Sequence, residues 1–93
     1  MLISLIKITK NSYNDYTLGS IYINPTHVVF MCEERGYKSD LMENKMNLEL
    51  DKNIEFTKIK FSDSSMINEV VVVGSPDTIQ GKFHTQQKIL LRD

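Results

Sequence analysis

Apolar and polar residues alternate from the start of the chain. Across Leu2 to Lys10, Ile6 and Ile8 share one parity while Lys7 and Thr9 share the other, the period of a half-buried strand. Asn11-Ser-Tyr-Asn-Asp15 is a turn cluster, rich in side chains that bond their own backbone. Gly19-Ser20 leads into a second apolar run, Ile21-Tyr-Ile-Asn24, and Pro25 divides it from a third, His27 to Glu33. Proline removes a ladder hydrogen bond and the residue before it prefers extended geometry. The pattern therefore predicts two short strands joined by a trans corner at Asn24-Pro25, with a single kinked edge strand as the alternative. The continuous run Val28-Val-Phe-Met31 predicts burial on both faces.

Ile54 to Ser62 is a strand whose parity shifts: Ile54 and Phe56 fall on one side, Ile59 and Phe61 on the other. One extra residue near Thr57-Lys58, a β-bulge, would bring all four to a single core. Asp63-Ser64-Ser65 reads as a turn, and Met66 to Val73 as a strand whose four closing valines fit cover on both faces. Gly74-Ser75-Pro76-Asp77 is the strongest local signal. Glycine ends the strand, serine caps a helix, proline suits its first position, and aspartate suits the positive end of its dipole. Ile79 and Phe83 supply the buried stripe, and the tail Lys88-Ile-Leu-Leu-Arg92 continues that helix or forms an edge strand.

Residues 35–53 fit neither period. Positions 42, 46 and 50 share a helical face, whereas 46, 48 and 50 alternate as in a strand. Gly36 suits a loop and Ser39-Asp40 an N-cap. The segment is expected to be an insertion with one short helical turn or an extended arm, exposing methionine and leucine surface unless it packs on a partner. The fold class that follows is mainly β (α+β): a small antiparallel, partly closed sheet of about five strands with one short C-terminal helix. Residues 1–93 make one domain, with the charged insertion at about 35–53 and a C-terminal extension at 84–93.

A chain of 93 residues buries a modest share of its surface, so a homo-oligomer is a common route to added stability. The net charge of −1 is uneven: residues 33–55 carry −3 and the remainder +2. That asymmetry is too weak for a dedicated duplex-DNA binder. A single cysteine, Cys32, excludes an internal disulfide and suits a reducing compartment. No basic start followed by a long apolar run marks a leader, and no stretch is long enough to span a membrane, so the expected location is cytoplasmic.

Candidate chemistry is sparse. His27, Cys32 and His84 lack the close spacing of a metal site, and no cofactor or metal is expected. Cys32 continues an apolar run and reads as a small buried hydrophobe rather than a nucleophile. The four glycines are dispersed, so no phosphate loop exists. At Ser75-Pro76-Asp77 the aspartate would repel a phosphate. What remains is a juxtaposition of tyrosines and lysines. Lys7, Lys10, Tyr13, Tyr22, Lys58 and Lys60 are the candidate ligand-binding set, suited to stack and neutralise single-stranded RNA or a small nucleotide. The simpler reading makes them ordinary solvent-facing strand residues.

Set in order, Ile6-Lys-Ile-Thr9, Tyr22-Ile-Asn-Pro25, Val28-Val29, Lys58-Ile-Lys-Phe-Ser-Asp63 and Val70-Val-Val-Val-Gly-Ser-Pro-Asp-Thr-Ile79 resemble the FlbD-like proteins, small domains named for a flagellar regulator. The resemblance covers about two thirds of the chain. It implies a non-enzymatic regulatory or binding module, since the flagellar members are implicated in post-transcriptional control. Similar sequences in phages and mobile elements suggest another role, sequestering a nucleotide signal in sites between subunits. This chain departs from the family at the 35–53 insertion, at Gly74-Ser75 in place of an acidic-serine pair, and at 84–93.

Overall fold

A computed structural model describes residues 2–63 and 66–92. Five antiparallel strands, β1 (Ile3–Lys10), β2 (Tyr16–Ile23), β3 (Val28–Glu33), β4 (Phe56–Asp63) and β5 (Met66–Val73), form one sheet in the order β2-β1-β5-β4-β3. Helix α1 (Arg35–Met42) follows β3, and helix α2 (Pro76–Arg92) follows β5. The sheet is open, with β2 and β3 as its edges, so the expected partial closure does not occur.

Side-chain chemistry sets the turns as the sequence predicts. Asn11 Oδ1 accepts from the Tyr13 and Asp15 N–H groups, and Asn14 takes a positive φ of 65°. At the proline corner, Asn24 Oδ1 accepts from both the N–H and the hydroxyl of Thr26, closing one turn of 3-10 helix, Pro25–His27. Among the described residues no peptide bond is cis. The strand before this corner is longer than expected, starting at Tyr16 rather than Ile21. The turn expected at 63–65 includes Ser64 and Ser65, which lie outside the described residues.

The largest correction concerns the parity shift in β4. Its register with β5 runs unbroken from Phe56↔Val73 to Asp63↔Met66, with no bulge at Thr57-Lys58. Phe56 and Ile59 are both buried, on opposite faces. Ile3, Leu5, Ile23, Ile59 and Val72 pack with Ile79 of α2 on one face. Ile8, Tyr16 and Phe56 pack with Leu41 of α1 and Met46 on the other. The valines divide the same way, Val70 and Val72 toward α2, Val71 and Val73 toward the insertion. The register break lies instead in β3 between Val28 and Phe30, and it leaves Val29 and Phe30 exposed rather than buried on both faces.

At the helix starts, Ser75 Oγ accepts from the Thr78 N–H, as its position predicts. Gly74 takes φ 123°, and a Cβ there would stand 3.2 Å from Ile79 Cδ1, so the turn suits glycine twice over. The tail continues α2 instead of forming a strand. In the insertion, α1 is a helix of 8 residues capped by Glu34, whose side chain accepts from the Gly36 N–H; Ser39 and Asp40 lie inside it. Lys38 Nζ donates to the carbonyls of Lys52 (2.6 Å) and Ile54 (2.8 Å), and Lys52 Nζ bonds the Leu41 carbonyl. Leu41 and Met46 are thus buried against the chain's own sheet, while Met42 stays exposed. Among the described residues, no helix is long and apolar enough to cross a membrane.

Candidate functional site: a cleft between two ladders

β1 pairs with β2 along its whole length, from Ile3↔Ile23 to Lys10↔Tyr16. With β5 it shares one partner pair, Lys7↔Val72. The sheet is therefore two ladders, β2-β1 and β5-β4-β3, joined along a narrow seam. Toward the far ends of β1 and β5 a cavity of about 490 Å³ opens between Lys7–Lys10 on one side and Asn68–Val71 on the other. Its size is within the usual range for small-molecule sites.

The two sides of the cleft differ in chemistry. On the α2 side lie Lys7, the Thr9 hydroxyl, the Asn68 side chain and the walls of Ile21, Phe61 and Val70. Thr9 Oγ1 is 2.8 Å from Thr17 Oγ1 across the β1–β2 ladder. Lys7 is half-buried and enters no ion pair among the described residues.

On the α1 side, Lys10 Nζ lies 3.3 Å from Asp40 Oδ2, and the Tyr16 hydroxyl donates to the same oxygen. Burial, reinforced by the bond to Asp40, pushes the Tyr16 phenol well above its ordinary value. The same bond, with help from Lys10, holds the Asp40 carboxyl below the usual carboxylate range. Tyr37 meets Tyr16 edge-on at 5.0 Å and Phe56 at 6.2 Å, and its phenol is pushed up by burial and by Glu34. Glu69, on this side, lies 3.9 Å from Lys60.

Of the six sequence-derived candidates, the cleft brings together Lys7 and Lys10. Lys58 sits 3.3 Å from Glu34, whose hydrogen bond and charge raise its pKa, and Lys60 lies 5.6 Å above the Phe30 ring. Both occupy the opposite ladder. Tyr22 is exposed on the same face as Lys60 but at the corner of the sheet beside Ser4, and Tyr13 projects from the β1–β2 turn. Cys32 is exposed on the β3 edge, not the buried thiol its run suggests. His27 is exposed at the proline corner. Among the described residues no group of three or more His, Cys, Asp or Glu is placed to hold a metal ion.

Thr9, Asn68, Phe61 and Tyr37 are among the cleft residues that sequence reasoning missed. Asn68 had a signal, an amide inside an otherwise apolar strand; the other three had none, because their role depends on where the ladders part. No family model, curated protein or solved structure matches the chain.

Proposed function

We propose that the chain is a non-enzymatic binding module of FlbD-like kind, and that the cleft between its ladders holds a small anionic ligand of the nucleotide class. The carrying observation is Lys7: a cation with no carboxylate partner among the described residues, beside a hydroxyl, an amide and an aromatic wall. Lys7 would meet the phosphate, Asn68 and Thr9 the polar edges, and Phe61 the apolar body of the ligand. Lys10, Lys58 and Lys60 already face Asp40, Glu34 and Glu69, which leaves little positive charge for a long polyanion. A regulatory role on RNA or a protein, the alternative carried by the family resemblance, draws on Tyr22 and on Lys60 over Phe30.

Thermal unfolding against cyclic and linear nucleotides tests the proposal. A ligand at a hundredfold over its Kd adds about 2.7 kcal/mol, and Lys7→Gln or Asn68→Ala should remove the shift. No shift with any nucleotide, or a shift that survives Lys7→Gln, would sink the cleft as the site. Salt-dependent retention of single-stranded RNA without a nucleotide shift would favour the regulatory reading.

A further inference from the structure

The two edges of the sheet are built differently. β3 carries a register break at Val28/Phe30, follows a proline turn and ends in Glu33. These are devices that keep an edge from pairing with another chain. β2, Tyr-Thr-Leu-Gly-Ser-Ile-Tyr-Ile, has no charge, no proline and no break in its register with β1.

A single side chain shows which way the β2 backbone points. Tyr16 N–H donates to Asn47 Oδ1 at 2.6 Å, and Asn47 Nδ2 donates to the Tyr16 carbonyl at 3.1 Å. The amide of Asn47 therefore occupies the outer edge at Tyr16 as a neighbouring strand would. Alternate residues of an antiparallel strand aim their N–H and C=O the same way. Leu18, Ser20 and Tyr22 consequently present theirs outward beyond the reach of that cap.

We infer that β2 pairs with β2 of a second copy about a two-fold axis through Ser20, making one continuous ten-stranded sheet. Centring on Ser20 uses all three outward positions: Ser20 opposes itself and Leu18 opposes Tyr22 twice, with two hydrogen bonds at each pair. Shifting the centre to Leu18 would drive the second copy into the Asn47 cap at Tyr16. Leu18 and Tyr22 point to the same face, are 46% and 64% exposed, and would cover each other as an aliphatic–aromatic cross-strand pair. On the opposite face Gly19 meets Ile21, and a Cβ at Gly19 has open space around it. Charge raises no objection, because Asp15, the charged residue adjoining β2, comes opposite Pro25 of the second copy. With about eight residues a side against the 20–30 of a standard interface, the dimer is a weak, concentration-dependent one.

Light scattering across a concentration series should show the mass doubling, and Leu18→Lys with Tyr22→Lys should raise the dimer Kd at least about tenfold by placing like charges opposite each other. Leu18→Lys with Tyr22→Glu should restore pairing. Circular dichroism checks that each variant is folded. In a Cys32→Ser background, Ser20→Cys places two thiols with Cα atoms about 5.5 Å apart, within disulfide range, and should cross-link on mild oxidation. Thr17→Cys, about 20 Å from its copy, should not. A wild-type protein monomeric at every concentration overturns the inference. So does a dimer that tolerates the two lysines and leaves Ser20→Cys uncross-linked.

Discussion

On one face of the sheet, Ile79 of α2 settles on Ile3, Leu5, Ile59 and Val72, and apolar contact makes the join. On the other, Leu41 and Met46 cover Ile8, Tyr16 and Phe56 with the help of specific polar ties: Tyr16 to Asp40, Asn47 to the Tyr16 backbone, Lys38 and Lys52 to carbonyls. A helix brings its own satisfied backbone to the surface it covers. An irregular segment does not, and must find partners for its polar groups one at a time. The α2 face should therefore respond mainly to lost volume, and the insertion face to lost volume and to pH.

The largest effects should come from the two cores themselves. Phe56→Ala is expected to cost about 3–5 kcal/mol and Ile79→Ala about 2–5 kcal/mol, read by denaturant unfolding. Hydrogen exchange separates them: Phe56→Ala should release protection across residues 35–55 before the strands. Equal loss of protection everywhere would erase the contrast between the faces.

A smaller effect should follow Tyr16→Phe, about 1–3 kcal/mol near neutral pH. Its signature is in the pH profile. Asp40 has its folded pKa lowered, so its contribution is present above the unfolded value near 3.9 and is lost as pH falls through the folded one. Tyr16 has its folded pKa raised, so its contribution is present below about 10 and is lost as pH rises through the folded value. Tyr16→Phe should flatten both limbs of the stability curve, whereas Ile79→Ala should lower the curve without reshaping it. The smallest change, Ser75→Ala, removes the cap of α2 and should cost about 1 kcal/mol at any pH where the helix forms, measured by thermal unfolding.

What could be read from the sequence was what neighbours in sequence decide. The Asn11 turn, the Asn24-Pro25 corner and the Ser75-Pro76 helix start depend on residues within four positions of each other, and each forms as expected. The opposite parity of Phe56 and Ile59 was visible too, but a sheet buried on both faces produces that pattern as readily as a bulge does. Choosing between them required knowing that residues 35–55 fold back onto the sheet, a contact made between elements distant in the chain. The candidate binding residues were dispersed for the same reason. Lysines could be picked out along the strands, but whether Glu34, Asp40 or Glu69 would neutralise them depended on which strands became neighbours. Lys7 and Lys10 line the cleft from opposite faces because the ladders separate beside them, and nothing in the local pattern marks that separation.

The narrow seam at Lys7↔Val72 has a mechanical meaning as well. Hydrogen-bonded ladders fix both spacing and register, whereas buried apolar surface is non-directional. Across most of the sheet, changing the distance between strands means breaking backbone bonds. Between the β2-β1 and β5-β4-β3 ladders the backbone contributes the pair Lys7↔Val72, and Ile3, Leu5 and Val72 packed with Ile79 of α2 supply the rest of the join. Two plates stiff with backbone bonds are thus held to each other chiefly by shape, through the apolar side chains that meet beneath α2.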